Sequence, residues 1–75
     1  MTTEAVILFP TNAHVMRAEK LIKNAGIFCK LISVPRHLSS DCGVCISIHQ
    51  QSAESAIEIL DDQKLAYNDI VLLNS

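Results

Sequence analysis

An unbroken apolar run, Ala5-Val6-Ile7-Leu8-Phe9, stopped by Pro10, constrains the fold of this chain more than any other stretch. It is too short for an amphipathic helix and lacks the alternation of a strand with one wet face. It therefore predicts a strand covered on both faces, near the middle of a sheet. At 75 residues the chain sits near the lower size at which a core alone holds a fold, since a domain this small buries only about 60% of its unfolded surface. That leaves room for one domain, residues 1–75, built around the run. With 49% apolar and 19% charged residues, and no Ser/Gly-rich or repetitive stretch, the composition is that of a compact globule.

The remaining elements follow from periodicity. Thr11 and Asn12 are helix-capping types, and Val15, Ala18, Leu21, Ile22 and Ala25 then recur at helical spacing, with Arg17, Glu19, Lys20 and Lys23 outward. Gly26 is placed to end that helix in a left-handed conformation. Residues 27–34 alternate as a second strand, with Phe28, Ile32 and Val34 on one side and Cys29, Leu31 and Ser33 on the other, before Pro35 breaks the ladder. Val44, Ile46 and Ile48 alternate with Cys45, Ser47 and His49 as a third strand, which puts Cys45 on its polar face. Ser52 is placed to cap a second helix with Ala53, Ala56, Ile57 and Leu60 inward, and Asp61 and Asp62 lie against the dipole at its C-terminal end. A last strand covers residues 67–73.

The order strand, helix, strand, strand, helix, strand predicts an α+β, ferredoxin-like βαββαβ fold, a four-stranded antiparallel sheet with two helices on one face. In that topology the first and second strands run parallel, so the end of strand one, the start of helix one and the 35–43 loop share one edge of the sheet. Pro10, Thr11, Asn12 and His14 then neighbour Cys42. Because the helices cover one face only, the apolar residues on the other face predict a homodimer through the open sheet face, burying Val6 and Leu8 or Ile7 and Phe9.

Composition excludes several classes of function. A net charge of −2 with scattered cations offers no basic stripe for nucleic acid. No apolar run approaches the ~20 residues that span a bilayer, and the N-terminus lacks a basic secretory segment, so a cytoplasmic protein is expected. Cys29, Cys42 and Cys45 are an odd number of thiols, unlike a secreted disulfide framework. There is no phosphate loop, no Ser/His/Asp order and no catalytic carboxylate pair, so a conventional self-contained hydrolase or kinase is not expected, nor is a cofactor.

Reactive side chains concentrate between Val34 and Cys45. A cysteine becomes a nucleophile where cations, helix N-terminal dipoles or main-chain N–H groups hold its thiolate. Cys42 has Arg36 and His37 nearby in sequence, Gly43 beside it, and the first helix's N-terminus brought to its edge by the topology. Asp41 opposes them. Thr11, His14, His37, Ser39 and Ser40 complete the candidate binding set. Two other readings stand: residues 39–43 as an ordinary polar turn with an incidental cysteine, and Cys42-Gly43-Val44-Cys45 as a redox pair. The second suffers because Cys45 falls inside a strand, whereas redox pairs of this spacing open a helix. A zinc site would have to borrow from Cys29, His14, His37 and His49 without a second paired motif, so no metal site is expected.

The chain resembles the small bacterial family of selenium/sulfur carrier-like proteins. The likeness lies in Ile7-Leu8-Phe9 with Thr11 and His14, in Ala18-Glu19-Lys20-Leu21 and Lys23-Asn24-Ala25-Gly26-Ile27, and above all in Pro35-Arg36 followed by Leu38-Ser39-Ser40-Asp41-Cys42-Gly43. The resemblance implies that Cys42 holds sulfur or selenium as a persulfide or selenopersulfide, received from a cysteine desulfurase or similar donor and passed to an acceptor protein. It implies that Arg36 holds the thiolate as a fixed cation and that the Gly43 N–H donates to it. Cys45 departs from the family pattern, in which an apolar or small residue follows Cys-Gly-x; a thiol there would be a resolving group. The competing class is a ligand-sensing or protein-interaction module.

Overall fold

The computed structural model describes residues 3–35 and 43–74. The elements run β1 (Thr3–Leu8), α1 (Asn12–Asn24), β2 (Cys29–Ser33), β3 (Val44–His49), α2 (Gln50–Asp62) and β4 (Asp69–Asn74). The four strands form one sheet in the order β2-β3-β1-β4, and every neighbouring pair is antiparallel. β3 is thus inserted between β1 and β2, which is the split βαβ arrangement of the ferredoxin-like fold. As its double-sided apolar character predicts, β1 is internal.

Register decides which side chains share a face. Ile7 stands opposite Ile46 on β3 and Ile70 on β4, and Ile46 stands opposite Leu31 on β2. Since cross-strand partners project to the same side, this row shares the helix-covered face, with Leu31 left exposed on the outer strand. α1 adds Val15, Ala18 and Ile22, and α2 adds Ala53, Ala56 and Leu60. Each set follows the three-and-four spacing of one helical stripe, and the alanines among them let the helix axes approach the sheet. Ala5, Ile7 and Phe9 complete this core, all fully buried. Cys29 belongs to it as well, as a small buried hydrophobe opposite Ile48.

The opposite face has its own apolar cluster. Val6, Leu8 and Cys45 are buried there, ringed by half-buried Ile32, Val34 and Val71. Among the described residues no helix lies on this face, yet Val6 and Cys45 have no exposed surface and Leu8 only 4%. Two expectations change in consequence. Cys45 lies on the side that alternation assigns it, but that side is apolar at Cys45 and turns polar only further along, where the Ser47 hydroxyl donates to Glu4 Oε2 at 3.1 Å. And the apolar residues expected to need a second copy for their burial, Val6 and Leu8, are already out of water within one chain.

The helix ends are set by local chemistry. Thr11, in extended backbone, caps α1 with its hydroxyl accepting from the His14 N–H. α2 has its cap three residues before the expected one at Ser52. β3 runs into it without a connecting loop, and His49 is the cap, its Nδ1 accepting from the Gln51 N–H at 3.3 Å. Ala25, expected in the inward stripe of α1, is instead its exposed C-cap.

Both helices close in the same way. The Ile27 N–H reaches the Ile22 carbonyl and the Gly26 N–H the Lys23 carbonyl; at the other helix the Leu65 N–H reaches Leu60 and the Lys64 N–H reaches Asp61. This is the Schellman pairing, which needs a left-handed residue just past the cap. Gly26 supplies it at φ 82°, and Lys64 adopts it at φ 56° despite carrying a side chain. A Cβ at Gly26 would meet nothing within 4 Å, so backbone strain alone decides the exchange. Gly26→Ala is expected to lose about 1 kcal/mol and Lys64→Gly to gain about 0.5–1 kcal/mol, read as opposite shifts of the urea midpoint. Shifts of the same sign would contradict the two backbone conformations.

Candidate functional site

β1 and β2 are parallel, each being antiparallel to β3. Their C-terminal ends, the start of α1 and the start of β3 therefore lie at one edge of the sheet, as the topology predicted from sequence requires. At that edge the Val34 N–H donates to the Gly43 carbonyl at 3.1 Å, extending the β2–β3 ladder past Ser33 and Val44 and drawing together the two ends of the 35–43 connection. Pro35 and Gly43 mark where the chain leaves and re-enters the sheet. Arg36, His37, Ser39, Ser40 and Cys42 lie outside the described residues.

Thr11 and His14 are brought together here. Besides capping the helix, the Thr11 hydroxyl lies 2.6 Å from His14 Nδ1. The same hydroxyl thus holds both the main-chain N–H and the ring of His14, and the ring tautomer sets which partner donates in the second contact. The half-buried ring is thereby fixed at the first turn of α1. That turn contains no acidic side chain, so the positive end of the helix dipole is not neutralised by its own sequence. An anion near this edge meets a favourable field.

Gly43 is exposed, its φ is not in the left-handed region, and a Cβ there would point into open space. The backbone conformation thus gives no reason for a glycine at 43; what the missing side chain leaves is an uncovered main chain next to Cys42.

Cys45 is two residues into the sheet, opposite Ile32, with no exposed surface. Cys29 pairs with Ile48 on the helix-covered face, so the two buried thiols are separated by the sheet itself. Burial pushes the Cys29 thiol up from its ordinary range, with Lys23 pulling it down by less and Glu19 adding to the rise. His49, at the opposite end of β3, caps α2; its role had no signal in sequence beyond the abrupt end of strand alternation. Among the described residues no group of three or more His, Cys, Asp or Glu side chains is placed to hold a metal ion, and no helix is long and apolar enough to cross a membrane.

The family model described as "Putative Se/S carrier protein-like" matches residues 4–72, from β1 into β4. The chain belongs to that family. No curated protein and no solved structure matches it. The match takes in both strands flanking the 35–43 connection and the whole of α1, so the Se/S carrier-like assignment covers every element that meets at this edge.

Proposed function

We propose that this protein carries sulfur or selenium on Cys42, as a persulfide or selenopersulfide, between a donor such as a cysteine desulfurase and an acceptor protein. The observation that carries the reading is membership of the Se/S carrier-like family over residues 4–72. It is supported by the α1 N-terminus, free of acidic side chains, at the edge where Cys42 is attached to the sheet through Gly43.

The Cys42 thiolate attacks the outer sulfur of the donor's persulfide; the new Cys42 S–S bond forms as the donor's S–S bond breaks, and the donor's thiolate leaves. Delivery repeats the step, with an acceptor thiolate attacking the outer sulfur and Cys42 leaving as thiolate. No external oxidant or reductant is consumed, because the sulfur passes on at the same oxidation level. In this reading Arg36 and the Gly43 N–H stabilise the anion in both steps, and His37, Ser39, Ser40, Thr11 and His14 are the candidate residues for binding the partner's sulfur. Such chemistry suits a reducing, cytoplasmic setting. Cys45 is buried in the open-face cluster, and in this reading it packs there, which favours holding the sulfur over releasing it.

Incubating the protein with a cysteine desulfurase and cysteine, then measuring intact mass without reductant, is expected to show one added sulfur that Cys42→Ser abolishes. If Cys42→Ser acquires sulfur as readily as the parent, the reading fails.

A second reading, a small-ligand-sensing module, draws on a shallow recess of about 180 Å³ on the open sheet face, lined by Glu4, Phe28, Lys30, Ser47, Ile48 and His49. It requires ligand binding that Cys42→Ser leaves unchanged.

A further inference from the structure

The outer surface of the helix layer is divided by charge. α1 presents Arg17, Lys20 and Lys23 to solvent beside Met16, which is 63% exposed. Lys23 is paired with Glu19 at 3.2 Å, while among the described residues Arg17 and Lys20 have no ion pair. α2 contains no lysine or arginine and presents Glu54, Glu58, Asp61 and Asp62, none of them in an ion pair among the described residues. The two helices pack side by side on the sheet, yet their opposite charges do not neutralise one another within the chain.

The shapes are complementary as well. Met16 stands among Arg17, Lys20, Asn24 and the Glu19–Lys23 pair on an open patch of α1. Along α2 a recess of about 590 Å³ is lined by Ala25, Ile27, Ser55, Glu58, Ile59 and Asp62. Ile27 and Ile59 are half-buried there, and Glu58 and Asp62 are exposed acids beside them. A flexible thioether with cations beside it on α1 thus has a counterpart of apolar side chains with carboxylates beside them, at the other helix of the same layer.

We propose that two copies of this chain associate through their helix layers, each seating Met16 in the other's α2 recess with Arg17 and Lys20 against Glu58 and Asp62. A two-fold axis makes the contact isologous, so that α1 meets α2 of the second copy at both ends of the interface. The alternative two-fold, α1 on α1 and α2 on α2, sets like charges against like and is disfavoured. The inference stands apart from the carrier reading: it invokes neither Cys42 nor the open sheet face. Since exposed ion pairs contribute little singly, the association is weak, with Kd of about 0.1–1 mM.

Sedimentation equilibrium at up to about 1 mM protein tests it, in buffers of about 10 mM and about 500 mM ionic strength, because screening shortens the reach of exposed charges several-fold between them. The mass is expected to rise from 8.2 kDa towards twice that at low salt, and Kd to increase at least about fivefold at high salt. Arg17→Glu with Lys20→Glu, and separately Glu58→Lys with Asp62→Lys, should each leave a monomer. An equimolar mixture of the two double variants should recover association, because one contact then joins swapped charges and the other joins native ones. All four positions are exposed, and recovery in the mixture would itself show that both variants are folded. A parent that stays monomeric at low salt, double variants that associate as the parent does, or a mixture no better than its components would each overturn the proposal.

Discussion

Replacing Phe9 by alanine is expected to cost about 3–5 kcal/mol, the usual range for removing a fully buried aromatic ring. At about 0.05–0.15 kcal/mol per residue, a chain of this length has total stability of the same order, so the variant should be largely unfolded at room temperature by circular dichroism. Phe9 follows β1 directly, has no exposed surface, and packs in the core that joins the sheet to both helices. It is followed by Pro10 and Thr11, so the ring also fixes the point from which α1 starts and hence the first-turn geometry of Thr11 and His14. The chain's other phenylalanine provides the contrast. Phe28 is 77% exposed, and Phe28→Ala should change stability by no more than about 0.5 kcal/mol. Equal effects at the two positions would mean that the face assignments of β1 and β2 are wrong.

Where local chemistry decides the structure, the sequence was readable. The run at residues 5–9 specifies an internal strand because nothing else of that length is apolar on both sides, and β1 has a neighbour on each edge. Thr11 and Gly26 announce the limits of α1 because their side chains, one a hydroxyl acceptor and one absent, are what those backbone positions need. The start of α2 was not readable. An imidazole nitrogen can cap a helix as a hydroxyl does, and Ser52 was the more familiar signal, but β3 delivers His49 to the turn first.

Cys45 shows a different limit. Alternation placed it on the correct side of β3, yet whether that side is wet depends on Val6 and Leu8 from β1, Ile32 and Val34 from the β2 edge, and Val71 from β4. Those residues are distant in sequence, and only strand order and register bring them beside Cys45. The candidate loop was legible as a concentration of unusual residues, and its attachment to the α1 edge follows from topology; the positions of Arg36 and Cys42 within it lie outside the described residues.

Thiol labelling separates the three cysteines with the largest contrast. In the folded protein a small alkylating reagent is expected to modify Cys42 quickly and Cys29 and Cys45 at least about a hundredfold more slowly, the factor that about 2.7 kcal/mol of opening free energy provides. In denaturant all three should react alike. Cys29 is protected twice, by its place under the helices and by a thiol that burial holds in the protonated form. The sign of the latter is fixed. A folded-state pKa above the unfolded one means the unfolded chain ionises first, so this contribution is fully present below the ordinary thiol range of about 8.5 and is lost as pH rises through the folded value. Stability should therefore decline in alkaline buffer, and Cys29→Ala should flatten that part of the profile. Cys45 decides between storage and release. If it reacts as quickly as Cys42 in the native state, the open-face cluster admits reagents and the pair can close a disulfide, turning a carried sulfur into a released one. If it is protected like Cys29, a sulfur carried at Cys42, as the proposed function has it, meets no neighbouring thiol to displace it and would leave only when an acceptor's thiolate arrives.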